Sequence, residues 1–205
     1  MGGTFDPIHV GHLDVARAAR RALDLDRVWL LPSNVPPHRA TPHASSADRM
    51  AMTTLAADGE AGLAASDLEL RQDGPSYTSA TLERLAAQGL AATEIFFVTG
   101  ADAFRDIPTW KDFPAILQNC HFVVISRPGC QASGLRQALP ALADRMIDVD
   151  NAGVDTSRPS IFLVDADTAP VSSTDVRRRV ASGASIEGMV PAAVATYIEA
   201  HGLYR

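Results

Sequence analysis

The sequence predicts an α/β protein built on a doubly wound parallel sheet, and three observations lead there. The chain has 205 residues with 46% hydrophobic and 20% charged side chains, a globular composition long enough for one domain over residues 1–205 with a full core. Short apolar runs alternate with stretches of helical periodicity, which implies βαβ units. Several of the apolar runs are β-branched and unbroken by polar residues, as strands covered on both faces should be.

In chain order, strands are expected at Val28–Leu31, Leu68–Leu70, Ile95–Thr99, Phe122–Ser126, Met146–Val149 and Ile161–Val164. Helices are expected at His12–Leu23, Ala47–Ala57, Ser79–Gln88, Pro114–Gln118, Gly134–Leu142, Thr174–Ser182 and Ala192–His201. The last of these is punctuated by Pro191 at its first turn and Gly202 at its stop. Thr41–Ala47 and Gln131–Gly134 read as loops. Ligands of such sheets sit at the carboxyl ends of strands, so motifs that directly follow strands carry the most weight.

Composition excludes several classes. The formal net charge of −6 argues against a nucleic-acid-binding surface, although an anionic small molecule needs only local positive charge. No apolar run approaches the roughly 18 residues of a membrane span, and no signal-peptide pattern opens the chain. The two cysteines, Cys120 and Cys130, have neither metal spacing nor a disulfide framework and read as reduced thiols in a cytoplasmic protein. Of the 18 Lys and Arg residues, Lys111 is the one lysine. There is no G-x-x-x-x-G-K-[ST] loop and no lysine placed for a covalent adenylyl intermediate. If phosphates bind here, Arg, His and backbone amides must hold them.

Two constellations carry chemistry. The first is Gly2-Gly3-Thr4-Phe5-Asp6-Pro7-Ile8-His9-Val10-Gly11-His12. Paired glycines allow close ligand approach, and a turn opening onto a helix start is an anion site. His9 and His12 are three apart and would share a helix face, with room at Gly11 for a bulky group. Their ring N–H groups suit a triphosphate under attack. Two other readings stay open: simple capping and packing, or zinc binding with Asp6 as a further ligand. The second constellation, Ser172-Ser173-Thr174-Asp175-Val176-Arg177, follows the strand at Ile161–Val164. Ser173 or Thr174 is the expected N-cap, and Arg177, one turn in, can offer its planar fork to the same ligand. Arg178 and Arg179 read as a solvated basic face.

G-G-T-F-D-P-x-H-x-G-H followed by S-S-T-x-x-R resembles the nucleotidyltransferase superfamily, with its Rossmann-like fold. The intermediate motifs make the chain most similar to the bacterial nicotinate mononucleotide adenylyltransferases, over nearly its whole length. They are Pro32-Ser33-Asn34-Val35-Pro36-Pro37-His38-Arg39, Ser76-Tyr77-Thr78-x-x-Thr81-Leu82, Gly100-Ala101-Asp102, Thr109-Trp110, Ser126-Arg127-Pro128-Gly129 and Gly202-Leu203-Tyr204. Arg39 stands where the family usually has Lys, which keeps charge but changes geometry. The family also carries an apolar strand before the glycines, where this chain has Met1 alone, so the resemblance implies a translation start farther upstream.

The resemblance implies adenylyl transfer from ATP to nicotinate mononucleotide, giving nicotinate adenine dinucleotide and pyrophosphate in NAD biosynthesis. His9, His12 and Arg177 would be the catalytic residues. Gly3, Thr4, Phe5, Gly11, Gly100, Asp102, Ser173 and Thr174 would bind ATP. Asn34, His38, Arg39, Thr78, Thr81, Trp110 and Arg127 would bind the mononucleotide, with Trp110 stacked on the pyridine ring unless it packs in the core. Mg2+ would ride on the ATP phosphates, with no metal ligands from the protein. The implied partners are these two small molecules, not nucleic acid or membrane, and a homo-oligomer is left open. The rivals are a sibling enzyme acting on nicotinamide mononucleotide or phosphopantetheine, and a nucleotide-binding sensor without turnover.

Overall fold

The structure is a computed structural model describing residues 1–36, 41–149 and 154–205. Its elements, in order, are β1 (Gly2–Gly3), α1 (Val10–Ala22), β2 (Val28–Pro32), α2 (Ser46–Asp58), β3 (Leu63–Ala65), α3 (Thr78–Ala87), β4 (Phe96–Gly100), α4 (Ala101–Phe104), β5 (His121–Ile125), α5 (Leu135–Ala138), β6 (Met146–Asp148), β7 (Ile161–Val164), α6 (Ser173–Ala181) and α7 (Ala192–Ala200). Every strand pairing is parallel, as the alternating pattern predicted. The pairings form two sheets, of order β1-β2-β3 and β4-β5-β7-β6. Each lies in its own compact unit. The β1–β3 unit comprises Gly2–Asp14, Arg27–Ser76 and Ala169–Arg205, and the β4–β7 unit comprises Met1, Val15–Asp26 and Tyr77–Thr168.

In the β4–β7 unit, β5 is buried at every residue. Side chains alternate across a strand, so Phe122 and Val124 enter one apolar cluster with Phe104, Ile116, Ile161 and Leu163. Val123 and Ile125 enter another with Phe162, Val164 and the α1 residues Val15, Ala18 and Ala19. This two-sided burial is why the sequence of β5 shows no polar alternation. In the β1–β3 unit, α2 packs on β2, β3 and α7, burying Met52, Ala56 and Ala57. Ser45 caps α2, its Oγ accepting from Asp48 N at 3.1 Å.

Three expected elements differ. Leu68–Leu70 is not a strand but a turn, in which the N–H groups of Leu70 and Arg71 both donate to the Asp67 carbonyl; the third strand is instead β3, Leu-Ala-Ala. The helix expected over Gly134–Leu142 stops as α5, and a 3-10 segment, Pro140–Arg145, follows. Pro140 supplies no N–H and disfavours helical backbone before it, and Leu139 accordingly sits at φ −130°, ψ 63°. Pro114–Gln118 is likewise a 3-10 turn, Ala115–Gln118, in place of an α-helix. No helix among the described residues is long and apolar enough to cross a membrane.

Candidate functional site

In the β1–β3 unit, the glycine turn and α1 arrange the first constellation. Gly3 is required here, because a Cβ on it would lie 2.6 Å from Phe5 Cε1. Phe5 itself is buried with φ +48°, a left-handed conformation uncommon for a bulky residue, and its ring meets His12 edge-on at 5.0 Å. The helix begins at Val10, so His9 precedes it and His12 lies in its first turn. The imidazoles of His9 and His12 stack at 3.7 Å. His12 Nδ1 accepts the His9 backbone N–H at 3.3 Å, so neutral His12 carries its proton on Nε2 and is a donor there. Gly11 is buried in the same turn. Among the described residues no group of three or more His, Cys, Asp or Glu is placed to hold a metal ion, which leaves the zinc reading of His9, His12 and Asp6 without a ligand set.

The second constellation lies against the first. The N-cap of α6 is Ser172, whose Oγ accepts from Asp175 N at 3.1 Å, and not Ser173 or Thr174. Asp175 sits three residues on, so Ser172 is the position that can close this reciprocal cap, and its hydroxyl returns a bond to Asp175 Oδ2 at 2.8 Å. Ser173 is thereby freed to donate to the Pro7 carbonyl at 2.9 Å. Arg177 Nη1 donates to the Asp6 carbonyl at 2.7 Å, and its Nη2 lies 3.4 Å from Thr174 Oγ1. The two helix openings are therefore bonded to one another across some 170 residues of chain. Asn34 is tied into this unit by its N–H to Ser76 Oγ at 2.8 Å and its side-chain amide to the Gln72 carbonyl at 2.6 Å. His38 and Arg39 lie outside the described residues.

The β4–β7 unit holds the other expected residues. Gly100 ends β4, and a Cβ there would come within 2.5 Å of Asp102 Oδ1 and 3.0 Å of Arg127 Cγ. The lack of a side chain is what lets the exposed Asp102 and the Arg127 stem close on this strand end. Arg127 belongs to a tight turn, its N–H and carbonyl paired with Cys130 at 3.0 and 2.8 Å. Trp110 is half-buried and packs on the core, edge-on to Phe97 at 6.2 Å and to Phe122 at 6.4 Å. Thr78 is the first residue of α3. Thr81 is buried, and its Oγ1 donates to the Tyr77 carbonyl at 3.4 Å. Cys120 is a core thiol whose burial pushes its pKa to about 12, and Cys130 is also a free thiol.

Two charges, Arg49 in the interior and Asp165 at the surface, organise these loops and carry no motif by which the sequence could announce them. Arg49, on α2, is 1% exposed. Its Nη1 donates to the carbonyls of Thr4 at 2.8 Å and Ser33 at 2.6 Å, and its Nη2 to Asn34 O at 3.3 Å. Burial lowers its pKa, opposed by the Asp6 carboxylate and Tyr204. Asp165, just past β7, accepts from Ser126 Oγ at 2.5 Å and from the N–H groups of Ala132 and Ser133 at 3.0 and 3.3 Å. Desolvation pushes its carboxyl upward, but these hydrogen bonds outweigh it and hold the group below the usual carboxylate range. Asp165 thus pins both ends of the loop that carries Arg127.

A model of the cytidylyltransferase-like family matches residues 1–179. A Pseudomonas fluorescens protein named "probable nicotinate-nucleotide adenylyltransferase" is 41% identical over 205 residues, covering 100% of this chain and 95% of its own length. One of the same name from Desulfatibacillum aliphaticivorans is 41% identical over 212 residues, covering 99% of this chain and 97% of its own. Among solved structures, Plasmodium falciparum nicotinic acid mononucleotide adenylyltransferase complexed with NaAD matches with a TM-score of 0.69 at 17% identity, over 99% of this chain and 94% of that one. At that identity the match speaks for the fold.

Proposed function

This chain belongs to the cytidylyltransferase-like family and, within it, to the nicotinate-nucleotide adenylyltransferases, and from that membership we propose how its residues join the AMP of ATP to nicotinate mononucleotide. The observation that carries the reading is the bonding of two phosphate-ready helix openings within one unit, through Arg177 to Asp6 and Ser173 to Pro7. Two such openings exceed what a monophosphate requires and suit a triphosphate.

The nucleophile is the substrate's own phosphate. Its second pKa is about 6, so at neutral pH it is already largely dianionic and needs no general base. The protein's task is to hold that oxygen in line with the α-phosphorus and to neutralise charge on the departing pyrophosphate. His12 donates from Nε2 and Arg177 from its fork; His9, Gly11, Ser173, Thr174 and the Gly3–Phe5 turn complete the phosphate cradle. Gly100 and Asp102 take a ribose. Asn34, His38, Arg39, Thr78, Thr81, Trp110 and Arg127 take the mononucleotide, with Trp110 offering whatever indole face its core packing leaves open. With no carboxylate cage among the described residues, Mg2+ would be carried by the ATP oxygens and water. The same reading has residues 1–205 act as one nucleotidyltransferase domain in the cytoplasm.

The test is pyrophosphate release from ATP with nicotinate mononucleotide, nicotinamide mononucleotide and phosphopantetheine supplied in turn. Release with nicotinate mononucleotide well above the others is expected. Preference for either of the others, or ATP binding without release, would overturn the assignment.

A further inference from the structure

Asp6 has no role in the scheme above, yet it gathers contacts from His43, Ala44, Tyr204 and Arg177. Its carboxylate is buried. Oδ2 accepts the His43 N–H at 2.7 Å, while Oδ1 accepts the Ala44 N–H at 3.0 Å and the Tyr204 hydroxyl at 2.9 Å. The His43 imidazole lies 3.5 Å from Oδ2. The carbonyl of the same residue takes the Arg177 guanidinium, whose Nη1 is also 3.9 Å from Oδ2. Where Arg177 sits is therefore set by how firmly the Asp6 side chain is anchored, and Tyr204 supplies one of its three anchors.

The turn that delivers Tyr204 is itself strained. It leaves α7 through Gly202 at φ +61°, and Tyr204 stands at φ +64°, a left-handed conformation that a bulky non-glycine residue rarely adopts. Such strain persists when other contacts over-determine the conformation. Here they are the Asp6 bond and the Leu203 N–H to the Ile198 carbonyl at 3.1 Å. Burial and the Asp6 carboxylate drive the phenol's pKa far above its ordinary value, so it stays a donor throughout the working pH range.

We propose that Tyr204 is a positioning residue for Arg177, acting through Asp6. It aims the guanidinium at the ATP phosphates without touching them. The inference rests on the reading of Arg177 as a phosphate ligand.

The experiment is a double-mutant cycle on the full chain with Y204F, R177Q and the pair, read by ATP Kd from calorimetry and by kcat and KM for pyrophosphate release. Y204F removes one oxygen and leaves the ring, and thermal melting checks that it is folded. If Tyr204 acts through Arg177, Y204F weakens ATP binding by about fivefold in the wild-type background and by about onefold in R177Q, since partners in one network are non-additive. A purely structural Tyr204 would give the same loss in both backgrounds, and that result, or no loss in either, overturns the proposal. The NMR signals of the Arg177 guanidinium in the ligand-free protein supply a reading independent of ATP. Faster guanidinium rotation in Y204F supports the proposal and unchanged rotation overturns it. Coupling in Kd and rotation without turnover on any acceptor would bring down the proposed function and leave this inference standing; turnover without coupling would do the reverse.

Discussion

Replacing Arg49 by Met tests the claim that one buried cation holds together the loops carrying Thr4, Ser33 and Asn34. Methionine keeps most of the aliphatic stem, so little cavity is created and the loss is of hydrogen bonds. Three carbonyls lose their donor: Ser33 O, which is buried, and Thr4 O and Asn34 O, which are partly buried. Stranding the first costs about 1–3 kcal/mol, and each of the others about 0.5–1.5 kcal/mol because water can reach them. Removing a buried guanidinium relieves some desolvation, visible in its lowered pKa. The expected loss is about 2–4 kcal/mol, a large share of the roughly 5–15 kcal/mol of a typical domain. Arg49→Lys keeps charge but cannot span three acceptors, so about half of that loss should remain. Urea unfolding measures both, with the m-value showing whether the transition stays two-state. A Met variant within about 0.5 kcal/mol of the parent, below any of these terms, would refute the reasoning.

His12→Ala should lower kcat by roughly 10²–10³ with ATP affinity nearly unchanged, as for loss of one transition-state donor; single-turnover kinetics beside an ATP titration check it, and unaltered turnover would remove His12 from the chemistry. Trp110→Ala should weaken the pyridine nucleotide more than ATP in parallel calorimetric titrations, whereas equal weakening would leave core packing as its whole role. His121 is fully buried, accepts the Ser160 N–H at Nδ1 (3.1 Å), stacks on Phe96 at 4.7 Å, and has its pKa lowered by burial. Since the unfolded chain takes up the proton first, stability should fall as pH drops below about 6.5, by at most about 1.4 kcal/mol per pH unit until the folded-state pKa is passed. His121→Phe should flatten that part of the curve in urea titrations from pH 7.5 to 5, and parallel curves for the two proteins would contradict the assignment.

What the sequence made legible follows from what is local. β5 and β7 could be read directly because unbroken apolar runs have one structural use in a sheet covered on both sides. β3 could not, since Leu-Ala-Ala is as good a helix fragment, while Leu-Glu-Leu at 68–70 imitates strand alternation and is a turn. The segment running into Pro140 shared helical composition, but the proline lacks an N–H and disfavours helical backbone at Leu139. At the site, the glycines, histidines and serines stood out because their types and spacings are rare together. Arg49, Asp165 and the partnership of Asp6 with Tyr204 were hidden for the opposite reason. Each is a common residue whose meaning comes from a partner tens to hundreds of positions away, as in the 198 residues separating Tyr204 from Asp6.

Because β4, β5 and β7 run in one direction, Gly100, Arg127 and Asp165 all emerge at the same rim of their sheet. Below that rim β5 presents no side chain to solvent, so the strands can hardly vary without disturbing packing. A lineage or an engineer seeking a different acceptor would find its freedom in the short crossings above, with the Ser126–Asp165 bond serving as the hinge pin to be kept. If Arg127 takes the mononucleotide as proposed, grafting Arg127–Gln131 from a relative of other specificity is a change of tool on an unchanged handle.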